Sequence, residues 1–195
     1  MTTEQRPGSD TTFPDGVTVT FGTAADIDRV RPLWLALHRV HQDVNPELAP
    51  HVDDDTSWRR RKRLYEHCLR CADSFFLLVE RDDRLIGYVM VTVEADGDVL
   101  WSDTWQVGDK VAEIETMYLL PEERGRGLGG TLLDLVDAEL ARRGITDLAI
   151  GAVPGNRDAL RFYERRGFLP SWTIVTRFAA RTAAEDSGGG EQAED

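Results

Sequence analysis

The sequence predicts an α/β (α+β) domain, a mixed and mostly antiparallel sheet flanked by helices. Three observations carry that reading. Short apolar or alternating runs bounded by Gly, Pro and Asp recur along the chain, which is the pattern of strands. Between them lie stretches with apolar residues at 3–4 spacing, the pattern of helices. A late unit, Val111–Leu120, a helical stretch to Leu140, then Asp147–Val153, is a strand–helix–strand crossover, which implies parallel pairing of its two strands.

The chain has 195 residues, 41% hydrophobic and 30% charged, enough for one domain with a substantial core. Residues 1–15 are polar and carry Pro7, Gly8 and Pro14, so they are expected to form a disordered tail. The domain is expected over 16–180. The Gly-rich acidic stretch 181–195 reads as a second tail.

Within the domain, Val17–Phe21 (VTVTF) alternates and starts the sheet. Thr23 with Asp26 resembles a capping box, Asp standing where Glu is usual. Ile27, Val30, Leu33, Trp34, Leu37 and Val40 then mark one helical face, which Pro32 should kink or split. Residues 43–53 hold two prolines and read as a loop. A second helix, WRRRKRLYEHCLRCA, follows Asp53–Thr56, and acids before a helix start suit its dipole. The Arg59–Arg63 run reads as a solvated helix face rather than a phosphate patch.

Ser74–Glu80 and Leu85–Val93 form a hairpin around Asp82-Asp83. Residues 94–109 connect it to the central strand and hold Trp101 and Trp105, which either shape a pocket or pack their rings in an extra hairpin. Leu128, Leu132, Leu135, Val136 and Leu140 give the next helix its buried face, and Gly144 suits its C′ position. Asn156 caps a short helix, NRDALRFYERR, which Gly167 ends. Phe168–Phe178 reads as the last strand.

The formal net charge is −12, half of it in the two terminal tails. An acidic body argues against nucleic acid, whose phosphates need a basic surface. It is compatible with a cationic substrate, but simple solubility is the preferred reading. No apolar run approaches the ~20 residues of a membrane span. The first residues lack an apolar signal core, so no membrane association and a cytoplasmic location are expected. Cys68 and Cys71 lack a second pair and a suitably spaced His, so they read as reduced thiols rather than a metal site.

The chemistry centres on VAEIETMYLLPEERGRGLGGTLLDLVDAEL, residues 111–140. Gly125, Gly127, Gly129 and Gly130 lie in a loop that opens a helix. Helix-starting amides are unpaired, glycine lets a ligand approach them, and Arg124 and Arg126 add positive charge, so the loop is a seat for phosphate. A dinucleotide fingerprint is formally present in Gly125, Gly127 and Gly130. However, PEER separates it from the strand, and it falls after four strands and two helices. A P-loop is excluded because no Lys-Ser/Thr follows the glycines.

Arg124-Gly125-Arg126-Gly127-Leu128-Gly129 resembles the R/Q-x-x-G-x-G/A motif of the GNAT N-acetyltransferase superfamily. EIETMYLLPEERGRGLGGTLL resembles that family's central strand, pyrophosphate loop and helix, and GNRDALRFYERRGF its C-terminal helix signature. The likeness in element order runs from about Val17 to Phe178. It implies acetyl-CoA as cosubstrate and a sheet in which the central strand splays from its parallel neighbour. It places the pyrophosphate on the amides from Arg124 to Gly129, among them Arg126 and Leu128. The pantetheine arm falls along Met117, Tyr118 and Leu119, and Asn156 is a helix cap and cofactor contact.

The resemblance also implies catalytic groups. Glu113 stands where histone-acetylating members carry a glutamate, and Glu115 occupies a position often acidic in the family. Two apart on a strand, the two share a face, where burial can raise a carboxylate's pKa toward that of a useful base. Tyr163 is the candidate acid for the leaving thiolate. His38 and His41 border the acceptor side. Cys68 and Cys71 lie far from the motif, so direct attack in a ternary complex is expected.

The implied function is acetyl transfer to a primary amine of a small molecule or protein. The alternative is a non-catalytic acyl-CoA-binding or protein-interaction module. The acceptor is not readable, although Asp53–Asp55, Trp101 and Trp105 suit a cationic or aromatic amine. The oligomeric state is open between monomer and homodimer.

Overall fold

A computed structural model describes residues 11–13, 15–48, 50–95 and 103–178. Its centre is one six-stranded sheet in chain order: β1 (Thr11–Thr12), β2 (Val17–Gly22), β3 (Phe75–Arg81), β4 (Arg84–Ala95), β5 (Lys110–Leu119) and β6 (Asp147–Ile150). All neighbours pair antiparallel except β5 and β6, which are parallel. The helices are α1 (Arg31–Val44), α2 (Asp54–Cys68), α3 (Leu128–Arg142) and α4 (Arg157–Arg165). Among the described residues, no helix is long and apolar enough to cross a membrane.

Alternation along each strand feeds two cores. Phe75, Leu77 and Val79 face the α3 side with Val89, Val91, Ile114, Leu132, Leu133 and Val136. Phe76 and Leu78 face α1 and α2 with Tyr88, Trp34, Trp58 and Tyr65. Both faces of β3 are therefore covered, which is why its sequence is a continuous apolar run.

Local signals explain the element ends. The Asp26 carboxylate accepts from the Thr23 amide and hydroxyl, each at 2.9 Å. Pro32 does split the first helix, leaving a 3₁₀ stretch at Ala24–Val30 ahead of α1, where the proline sits in the first turn. The Asp53 side chain accepts from the Thr56 amide at 2.8 Å, so the acids at 54 and 55 lie inside the first turn of α2. Asp82 and Asp83 both take positive φ, the two-residue hairpin turn that their type favours.

Two expectations about the ends fail. The sheet begins before position 16, because Thr11 and Thr12 pair with Val19 and Thr18. At the other end, residues 168–178 lie outside the sheet. Pro170 has no amide to donate, and β6 offers only four residues as a partner. Leu169, Trp172, Ile174, Val175 and Phe178 are exposed. Trp101 lies outside the described residues. Trp105 meets Trp172 edge-on, with ring centroids 6.1 Å apart.

Candidate active site

The site is built on β5, whose two edges are treated differently. Its β4 edge is paired from Lys110 to Leu119 with one interruption. Thr116 faces Met90 and Ile114 faces Val91, so Glu115 is the extra residue of a β-bulge. On the β6 edge the ladder runs only from Val111 opposite Asp147 to Ile114 opposite Ile150. Beyond that, β6 gives way to Gly151 and a turn at Pro154–Gly155. The edge from Glu115 to Leu119 thus has no strand beside it among the described residues.

Buried hydroxyls hold the bulge. Thr116 Oγ1 donates to the Glu115 carbonyl at 2.7 Å. Its one proton is then engaged, so the Tyr65 hydroxyl, 2.6 Å away, donates to it, and the Tyr88 hydroxyl, 3.0 Å further, donates to Tyr65.

The open edge floors a cavity of about 840 Å³. Met117, Tyr118 and Leu119 line it from β5, and Arg124, Gly125, Gly127, Gly129 and Gly130 from the loop. Asn156 and Tyr163 line it from the α4 side, and Leu37, Val40 and Val44 from α1. The PEER segment that separates glycines from strand has a structural task. Glu123 is buried and accepts from Arg81 at 3.0 Å, and Glu122 accepts from Arg84 at 3.0 Å, which ties the loop to the β3–β4 hairpin.

Helix α3 takes its first helical hydrogen bond at Thr131, to the Gly127 carbonyl at 3.1 Å. The amides of Leu128, Gly129 and Gly130 therefore have no acceptor within the helix. Gly125 and Gly127 sit at φ 75° and 85°, and a Cβ on either would meet nothing within 4 Å. Their requirement is conformational, not spatial. Arg124 lines the cavity, and its amide donates to the Pro121 carbonyl at 3.2 Å and its Nε to the Leu119 carbonyl at 3.0 Å. Its amide is thus paired within the turn, unlike the helix-starting amides of Leu128, Gly129 and Gly130. Arg126 is exposed and does not line the cavity, and the Leu128 side chain is buried in the core.

A second cavity of about 80 Å³ adjoins the first, and Leu37, Met117, Asn156, Ala159 and Tyr163 line both. Its own walls include Trp34, His41, Arg61 and Glu115. Tyr163 thus stands at the junction, and burial pushes its hydroxyl up to about 12. Asn156 caps α4, accepting from the Ala159 amide at 3.3 Å. Burial raises the pKa of Glu115, with Glu94 adding to the rise and Arg61 opposing it. Burial also raises Glu113, with Glu115 and Glu94 adding to it. Glu113 lines neither cavity and sits back where β5 is still paired with β6.

Of the two histidines, His41 lines the small cavity, its pKa lowered by burial and then by Arg61 and His38. His38 lies 3.2 Å from the Val52 carbonyl and lines neither cavity. Asp53, Asp54 and Asp55 serve α2 as its cap and as partners of Arg39 and Arg31, away from both cavities. Trp105 lines neither cavity. Cys68 is buried, with its thiol pushed up to about 11, and Cys71 is free.

The model of the acetyltransferase (GNAT) family matches residues 34–168. The chain belongs to the GNAT acetyltransferase family.

Its relatives fix how far that likeness reaches. It is 27% identical over 157 residues to a mycothiol acetyltransferase of Streptomyces griseus, covering 80% of this chain and 44% of that protein. The chain spans about half the length of the mycothiol acetyltransferases that it matches. It is 31% identical over 138 residues to an uncharacterized N-acetyltransferase of Mycobacterium tuberculosis, covering 70% of this chain and 78% of that one. A GCN5-related N-acetyltransferase from Ralstonia eutropha shares the fold with a TM-score of 0.64 at 20% identity, covering 84% of this chain and 99% of its own.

Within this GNAT domain, sequence reasoning missed two residues. Arg61 belongs to a run that reads as a solvated face, yet its guanidinium lies 3.9 Å from the centroid of the Trp34 ring and 3.4 Å from Glu115. The signal was present in the spacing, since Trp58, Arg61, Tyr65 and Cys68 share one face of α2. Gly155 is the other. A Cβ there would lie 2.2 Å from the Val44 carbonyl, so the C-terminus of α1 seats directly on the turn before α4 and closes the cavity wall. No sequence pattern marks that contact.

Proposed function

We propose that this GNAT domain moves an acetyl group from acetyl-CoA to a primary amine by direct attack in a ternary complex. The observation that carries the reading is the meeting of two cavities at Tyr163, beside the open edge of β5 and next to Glu115.

The residues present fit acetyl-CoA. The larger cavity is of the size of cofactor sites. Amides from Gly125 to Gly130 would hold the pyrophosphate at the positive end of α3. The edge over Met117–Leu119 that β6 leaves open would pair with the amides of an extended pantetheine arm, as an added strand does, the Leu119 carbonyl also accepting from Arg124. Bound there, acetyl-CoA supplies an acetyl group activated as a thioester. Leu37 and the α1–Gly155 contact would keep water from the junction.

An alkylamine is mostly protonated at pH 7. Glu115, raised by burial, would take a proton from the ammonium and so expose its lone pair. Tyr163, held protonated by burial, would give its hydroxyl proton to the sulfur as the C–S bond breaks and the N–C bond forms. Tyr163 would then take the second proton from the new amide nitrogen. In sum the ammonium loses two protons, one reaching sulfur and one reaching solvent through Glu115. Cys68 is an unsuitable nucleophile, because its buried thiol stays protonated.

The test is release of CoA thiol from acetyl-CoA in the presence of an amine panel, with mass spectrometry of the products. Amine-dependent thiol release and a product heavier by one acetyl group support the reading. Acetyl-CoA that raises Tm with no amine ever acetylated would instead make this a binding module.

A further inference from the structure

Acid and base chemistry leave one charged group of the small cavity unused, the Arg61 guanidinium. It is 21% exposed and stacked over the Trp34 ring at 3.9 Å, with the Tyr65 ring at 5.5 Å. Its contact with Glu115 is 3.4 Å, long against the ~2.7–2.9 Å of a good charge-assisted bond. Among the described residues Glu115 is its one hydrogen-bond acceptor, whereas a guanidinium carries five N–H donors. The aromatic stack fixes the plane of the fork, so its remaining donors are pre-organised.

A cation and an anion thus stand side by side in a cavity of about 80 Å³. That is small beside the roughly 300–1,000 Å³ of sites that enclose a whole ligand, so it suits the amine-bearing end of an acceptor. We propose that the acceptor is an α-amino acid, its ammonium on Glu115, its carboxylate on the Arg61 fork, and its side chain extending out of the cavity. The inference rests on reading this cavity as the amine site. Glu115 and Arg61 are close enough to match charges borne on one carbon, which a simple alkylamine or a polyamine does not offer. Arg61 is also the one group that lowers the pKa of Glu115. A bound carboxylate shares that cation and leaves the base stronger, so binding and activation are coupled.

Matched pairs test this: alanine, leucine and methionine, each against its α-amide, with CoA release as the readout. The acids are expected to exceed the amides in kcat/KM by about tenfold or more, as a charged hydrogen-bonding site rejects a ligand lacking its partner. In Arg61→Gln the acid-to-amide ratio should fall to about one, whatever the absolute rates, and Arg61→Lys should retain part of it. Amides acetylated as well as acids by the native protein, or a ratio that survives in Arg61→Gln, would overturn the proposal. If no amine is acetylated, the enzymatic reading fails, and calorimetric titration of leucine into the CoA-saturated protein decides the subsite. Binding that is lost in Arg61→Gln supports it, and absence of binding to the native protein overturns it.

Discussion

Glu115 lies 3.4 Å from Arg61, and it is the one residue of β5 that the bulge leaves without a partner on β4. The residue at which the ladder is interrupted is thus also the β5 carboxylate that lines the small cavity. Glu113, two residues earlier, is in register with Thr92 and stays behind. A strict strand alternation gives the two glutamates equal standing, and the small cavity takes in Glu115 and leaves Glu113 out.

Glu115→Gln should lower kcat by about 100-fold, within the usual range for loss of a general base. The acidic limb of the pH–rate profile, which the raised carboxyl sets in the native protein, should disappear with it. Steady-state rates across pH check both. A Glu115→Gln protein with an unchanged profile removes the base role.

Glu113→Gln should instead act on stability. Burial, then Glu115 and Glu94, raise the folded-state pKa of Glu113 above its unfolded value. The folded protein then binds the proton more tightly, so stability falls as pH rises from the unfolded value through the folded one. Above the folded-state value the cost of the buried carboxylate is fully present, and at pH well below its ordinary value it is absent. The Gln variant should melt higher than the native protein at pH 7 and level with it near pH 3, measured by thermal denaturation at both. An equal or lower Tm at pH 7 contradicts the assignment.

Tyr163→Phe should reduce kcat by about 100-fold or more while leaving Tm and acetyl-CoA binding nearly unchanged, because only the hydroxyl is lost. With its pKa at about 12, the native hydroxyl stays protonated through the ordinary assay range. No alkaline limb should therefore arise from it there. Unaltered kcat in the Phe variant rules out the acid role.

Gly127 and Gly129 should respond differently to alanine. Gly127 is at φ 85°, where a Cβ costs about 1 kcal/mol or more, so Gly127→Ala should lower Tm and weaken CoA binding. Gly129 is inside α3 and its Cβ would make an ordinary 3.6 Å contact with Phe162. Gly129→Ala should keep or raise Tm, since Ala exceeds Gly in a helix by about 1 kcal/mol. Paired melts with and without CoA separate loop conformation from ligand approach.

Gly155→Ala drives a Cβ into the Val44 carbonyl, a backbone atom that cannot swing aside. A loss of about 1–3 kcal/mol in stability is expected, as for other overpacked sites, together with a raised KM for acetyl-CoA. Denaturant unfolding and steady-state kinetics measure the two. Gly151→Ala, where a Cβ meets nothing within 4 Å, is the control for the stability measurement.

Most of the fold was legible because it is written in local chemistry. Pro32 splits a helix, Asp53 and Asn156 cap helices, Asp82-Asp83 turns a hairpin, and apolar periods of two and of three to four mark strands and helices. The glycine loop was legible too, since positive φ at Gly125 and Gly127 is a demand of the backbone itself. Two errors had local causes of their own. Phe168–Phe178 has strand composition, but composition does not supply a partner, and β6 is short. Thr11–Thr12 looks like tail, and only its pairing with β2 makes it strand.

What the sequence by itself determined is thus the element order from Val17 to Arg165, the glycine loop that opens α3, and the short list of candidates Glu113, Glu115 and Tyr163. What the tertiary structure alone decided is which of these meet. The small cavity takes in Glu115 and not Glu113, the end of β6 opens the edge of β5, and an α2 arginine from a run of charges turns inward onto Trp34. The reason is physical: burial, pairing register and stacking join residues far apart in the chain, as Arg61 meets Glu115 54 positions on, and no local period encodes them.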